Sequence, residues 1–159
     1  VPSPASRRSP SLLFGKAKDP TADWPAAGQA PTLDLQRHAI GPLCLGDPLE
    51  NARALGQPKR FRDGYLQYET FELEFKDGRL VAVKFDIDEG SSVNVAGDIR
   101  LSRAVKPLDV QTWFGEPVSD STGGGNLRWI DFEHNGATLA LEFTAERLTC
   151  VQLYAEGYA

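Results

Sequence analysis

Two stretches of this chain repeat one another, and that duplication limits its possible folds more than any other feature. Leu45-Gly-Asp-Pro-Leu-Glu-Asn-Ala-Arg-Ala-Leu-Gly-Gln-Pro58 has the marks of a short helix. Asp47 is placed to cap its start, Pro48 suits the first helical position, and Gly56 and Pro58 are stop signals. Val105-Lys-Pro-Leu-Asp-Val-Gln-Thr-Trp-Phe-Gly-Glu-Pro117 carries the same punctuation. A shift of 59 positions lays Pro48 on Pro107, Leu49 on Leu108, Gly56 on Gly115 and Pro58 on Pro117. Downstream, a shift of 68 pairs Leu73-Glu-Phe75 with Leu141-Glu-Phe143, Arg79-Leu80 with Arg147-Leu148, and Val83 with Val151. The loop Val118-Ser-Asp-Ser-Thr-Gly-Gly-Gly-Asn126 and the turn His134-Asn135-Gly136 absorb the difference.

The chain therefore reads as an extended arm (residues 1–31), a first unit (32–90) and a second (91–159), the two units forming one body. The arm is rich in proline, partly flexible, and anchored by Trp24. Each unit is predicted to be a strand, a short helix and a three-stranded meander. Phe71-Glu-Leu-Glu-Phe75 alternates with period two, and Lys76-Asp77-Gly78-Arg79 is a hairpin turn before Leu80–Ile87 returns. The expected class is α+β: two tandem strand-helix-meander units forming an antiparallel sheet, with short helices packed on one face.

Composition narrows the function by exclusion. At 159 residues with 41% hydrophobic residues the chain has room for a real core. A net charge of −5 argues against non-specific nucleic-acid binding, which needs cations to replace phosphate counterions. No apolar run approaches the roughly 20 residues of a membrane helix. The chain has no methionine, so Val1 is a trimmed end or a GTG start written literally. Localisation stays open, with cytoplasm favoured over periplasm. Cys44 and Cys150 are read as free thiols, and their spacing builds no zinc site.

The residue types that carry chemistry have plainer readings. His134 in Asp131-Phe-Glu-His-Asn-Gly136 is expected at an exposed hairpin tip, whereas a general base needs an acid to orient it and a pocket to hold substrate. His38 has no local partner. Gly123-Gly-Gly125 lacks the Lys-Ser/Thr of a phosphate loop. Asp86-Ile-Asp88-Glu89-Gly90 lacks the remaining ligands of a calcium loop. No catalytic residue, metal ligand or cofactor is assigned.

The outward sheet face is more informative. If Phe71, Leu73, Phe75, Val81, Val83 and Phe85 face the core, period two turns Glu72, Glu74 and Lys84 outward. Likewise Leu66, Tyr68, Ile130 and Phe132 face in, leaving Tyr65, Trp129 and Asp131 outside with Glu142 and Tyr154. The candidate partner-binding set is Tyr65, Glu72, Glu74, Trp129, Asp131, Glu142 and Tyr154, aromatic anchors ringed by charge.

A helix closing on Gly-x-Pro before a meander with an Asp-Gly turn resembles the small domain of outer-membrane small lipoprotein A and its relatives. The duplication resembles the beta-lactamase inhibitor proteins, which grip an enzyme with a concave sheet. The resemblance covers about 50 residues of each half. It implies a noncatalytic protein-binding module of inhibitor or immunity type, docking a basic toxin or enzyme. A cell-envelope scaffold of the small-lipoprotein type is the alternative, and an enzyme the third choice. No lipobox cysteine stands near the start, and each half holds one cysteine where the inhibitor family has a disulfide. Oligomeric state is not readable from the sequence.

Overall fold

The hairpin turns set the main sheet. Asp77 and Gly78, Asn135 and Gly136, and Asp63 and Gly64 all adopt positive φ, as two-residue hairpins require. A computed structural model describes residues 19–158, and residues 1–18 of the arm lie outside the described residues. The first half runs β1 (Leu33–Asp34), β2 (Ala39–Ile40), β3 (Leu43–Cys44), a 3-10 helix (Leu49–Leu55), β4 (Arg60–Arg62), β5 (Tyr65–Gln67), β6 (Phe71–Lys76) and β7 (Arg79–Asp86). The second runs β8 (Ser92–Val95), β9 (Ile99–Ser102), α1 (Pro107–Phe114), β10 (Ser119–Thr122), β11 (Leu127–His134), β12 (Ala137–Thr144) and β13 (Arg147–Ala155).

Two sheets result. The larger has eight strands in the order β10-β11-β12-β13-β7-β6-β5-β4, every pairing antiparallel. It consists of two four-stranded meanders joined at their last strands, β7 and β13. The smaller has the order β3-β2-β1-β8-β9, and its one parallel pairing, β1 with β8, links the halves. Leu33, Ile40, Leu43, Val93, Val95 and Leu101 of the small sheet share one buried cluster with Leu66, Leu73, Ile130, Leu141, Phe143 and Val151 of the large one.

The expected α+β layering is thus corrected: the protein is mostly β, and its second layer is a sheet rather than a row of helices. The helices are too short to form a layer. The 3-10 helix buries only Ala52 fully, and α1 only Pro107 and Val110. The covering strands are two to four residues long, too short to display a period in sequence. Each meander also has four strands rather than three.

Three local expectations change as well. Asp47 does not cap the first helix: Pro48 is the N-cap, and the Asp47 carboxylate accepts the Cys44 N–H at 2.9 Å. The stretch expected as loop from Val118 contains β10, a fully exposed edge strand that no apolar alternation announces. Arg128 holds it through paired bonds of 2.9 and 2.8 Å to the Asp120 carboxylate. Val81 is only half-buried, and Leu80 takes the core position instead. The cause is a bulge: the register slips between Glu74 and Phe75, leaving Val81 unpaired. The same slip between Glu142 and Phe143 leaves Thr149 unpaired, 68 positions on.

Candidate functional site

Strand register assembles the outer face of the eight-stranded sheet in rows. One row runs Tyr65, Glu74, Ala82, Tyr154, Thr138 across β5, β6, β7, β13 and β12. The next runs Gln67, Glu72, Lys84, Gln152, Ala140, Asp131. A third runs Asp86, Cys150, Glu142, Trp129. The buried partners Leu66, Leu73, Val83, Ile130, Leu141 and Leu153 occupy the opposite face, and Ala140 and Cys150 are buried within the outer rows.

All of the sequence-selected residues therefore lie on one face, but in two groups. Tyr65, Glu72, Glu74 and Tyr154 surround a cavity of about 240 Å³, with Lys84, Gln152 and Tyr158 completing its wall. Trp129 and Glu142 stand directly opposite each other on β11 and β12, with Asp131 between them and Tyr154. Tyr65 is 39% exposed, its ring open to a partner.

Electrostatics ties the first group together. The Tyr158 hydroxyl donates to Glu74 Oε1, and this charged acceptor holds its pKa well above the usual tyrosine range. Glu74 raises the Tyr65 pKa in the same way. Burial raises that of Tyr154, with Asp131 adding to the effect. Burial also raises the Asp131 pKa, and its Oδ1 is buried without a hydrogen-bond partner. Cys150, on the same face, is buried and pushed up to about 12, so its thiol is unreactive at neutral pH.

Sequence reasoning missed two features. Tyr158 follows the last strand and folds back onto Glu74, 84 residues earlier, with no local signal. His38 finds its partner 96 residues away: its Nε2 donates to the His134 carbonyl at 2.7 Å, and the rings meet edge to face at 5.7 Å. His134 thus belongs to a contact between the sheets rather than to a free tip. It lines a cavity of about 210 Å³ with Leu35, Trp113, Phe114, Phe132 and Leu139, whereas Asp131 points to the other face.

No family model and no curated protein matches the chain. The solved structure of a DUF4309 family protein, YjgB from Bacillus subtilis subsp. subtilis str. 168, is similar to it. The TM-score is 0.55 and the sequence identity 14%, covering 74% of this chain and 84% of that one. At this identity the likeness concerns the fold alone. No helix among the described residues is long and apolar enough to cross a membrane.

Proposed function

We propose that this protein is a noncatalytic binding module that docks a basic protein partner on the outer face of its eight-stranded sheet. The observation that carries the reading is the cluster of Tyr65, Tyr154 and Tyr158 around Glu74, set in a face that also carries Glu72, Asp86, Asp131, Glu133 and Glu142. Lys84 is a cation among them, and Arg62 and Arg60 stand beside Tyr65 and Gln67 at the β4 edge of the same face. Tyrosines supply large, stiff contact area with one polar tip, the chemistry of interface anchors. The surrounding carboxylates would steer a basic surface into register. An inhibitor or immunity-type protein that covers a toxin or enzyme cleft is the sharpest form of this reading, and it is the role that the sequence resemblance to duplicated small-lipoprotein-A-type domains would imply. The separation of His134 from Asp131 speaks against joint acid–base work by that pair.

The test is capture by the immobilised chain from a lysate of the source cells, with far-UV circular dichroism as the folding control. Tyr65→Ala and Trp129→Ala should each fold and retain the partner about 30-fold less well, the equivalent of about 2 kcal/mol. Glu72→Lys with Glu74→Lys should slow association most at low salt. Folded variants that capture the partner at full strength would remove the sheet face from consideration.

A further inference from the structure

We propose a second docking site at the C-terminal end of α1, shaped for an extended basic peptide with an aromatic-proline anchor. It rests on a difference between the two halves and is independent of the sheet face.

In the first half the end of the helix is covered by the chain itself. The Gln57 N–H donates to the Pro25 carbonyl at 2.7 Å, and Ala26 forms a parallel bridge with Gln57. Gln57 Nε2 donates to the Ala22 carbonyl at 3.2 Å, and Trp24 is buried to 6% exposure. The approach is so close that a Cβ on Gly56 would clash with the backbone of Ala26 and Ala27. Arg53 on the helix faces Asp23 on the covering segment at 3.6 Å.

In the second half no described residue fills the same seat. Gly115 lies 59 positions after Gly56 and has nearly its backbone, φ 90° and ψ −151° against 88° and 179°. Yet among the described residues a Cβ there would meet nothing within 4 Å, and no backbone carbonyl accepts the Glu116 N–H. Beside it opens the cavity of about 210 Å³ between the sheets, floored by Phe114, Phe132 and Leu139. Trp113, at the position of Ala54 in the first helix, stands at its edge 41% exposed.

The occupant's chemistry follows from its counterpart. The first seat takes a Trp-Pro pair, one accepted N–H and a short parallel bridge, so the second is fitted for an extended strand with an aromatic ring entering the cavity. The charge inverts. Arg53 and Gln57 become Thr112 and Glu116, and Asp34, with Arg37 at 3.8 Å, borders the cavity, while the Glu133 side chain turns to the outer face. A cation therefore belongs beside Glu116, next to the place where the covering segment presents Ala22 to Gln57, and the anion at Asp23 has lost its Arg53 partner.

The probe is a synthetic peptide of residues 20–28 carrying Asp23→Lys, titrated into the ¹⁵N-labelled full chain and followed by NMR. Saturable shifts are expected at the Gly115 and Glu116 amides and the Trp113 indole, weakening at least 10-fold when the peptide also carries Trp24→Ala. The protein variant Trp113→Ala, whose ring is exposed, should stay folded and bind at least 10-fold more weakly. The unaltered peptide should also bind more weakly, most clearly at low salt. No shift at millimolar peptide, or shifts confined to Gly56 and Gln57, overturns the proposal. So do two results without peptide: concentration-dependent shifts at Gly115, which assign the seat to a second copy, or Overhauser contacts from residues 12–14 to Trp113, which assign it to the chain's own start.

Discussion

Lys84 on β7 stands directly opposite Gln152 on β13, and the two occupy equivalent positions in their halves, 68 residues apart. Their neighbours exchange partners around them: Val83 pairs with Leu153 and Phe85 with Val151, each facing the equivalent of the other. A pseudo-twofold axis thus passes between Lys84 and Gln152, and the sheet has the geometry of an isologous dimer joined within one chain. A perfect copy would place lysine against lysine on the axis; glutamine removes that repulsion.

Gln152→Lys should therefore destabilise the fold by about 0.5 kcal/mol, since like charges directly opposite on a sheet repel. Glu72, across Lys84 on β6, keeps the effect modest. Urea denaturation at low and high salt checks it, and the loss should shrink as salt rises.

Ala145 and Glu146 form the turn between β12 and β13 with φ of 52° and 68°, where the first half has Asp77 and Gly78 at 52° and 76°. A non-glycine residue in the left-handed region carries a penalty of about 1 kcal/mol. Glu146→Gly should raise the melting temperature by about 2 °C, because it relieves that penalty at some cost in chain entropy. The exposed ion pair it removes, Arg128 to Glu146 at 4.0 Å, contributes little.

Asp131 has a raised pKa from burial and an unpartnered Oδ1, so its ionised form is disfavoured in the folded state. The sign follows: a raised folded pKa means that stability is fully present below the unfolded value and is lost as pH rises through the folded one. Asp131→Asn should stabilise by up to about 1 kcal/mol at pH 7, with the gain disappearing below about pH 4. The same variant should weaken binding to a basic partner. Denaturation midpoints at both pH values read the first effect.

Gly56 and Gly115 share a backbone conformation open almost only to glycine. Gly115→Ala should cost about 1–2 kcal/mol for the backbone alone. Gly56→Ala should cost more, about 3 kcal/mol or above, because its Cβ also displaces the segment that buries Trp24. Equal losses would mean that the covering segment adds no stability.

Local chemistry determined much by itself. Asp-Gly and Asn-Gly pairs dictate hairpins because few residues tolerate consecutive positive φ, and alternation in β5, β6 and β11 separates Leu66, Leu73 and Ile130 from Tyr65, Glu74 and Trp129. The two shifts exposed the duplication because cap, stop and core positions constrain residue type. Contacts over long sequence distances were decided only by the tertiary structure. Strands of two to four residues carry no period, so the second sheet, and with it the correct fold class, came from what must cover the inner face of the first. The bulges that put Leu80 rather than Val81 in the core arise from how two strands pair, a property of neither alone. Tyr158 on Glu74 and His38 on His134 join residues whose local surroundings contain no trace of the other partner, because the backbone path alone brings them together.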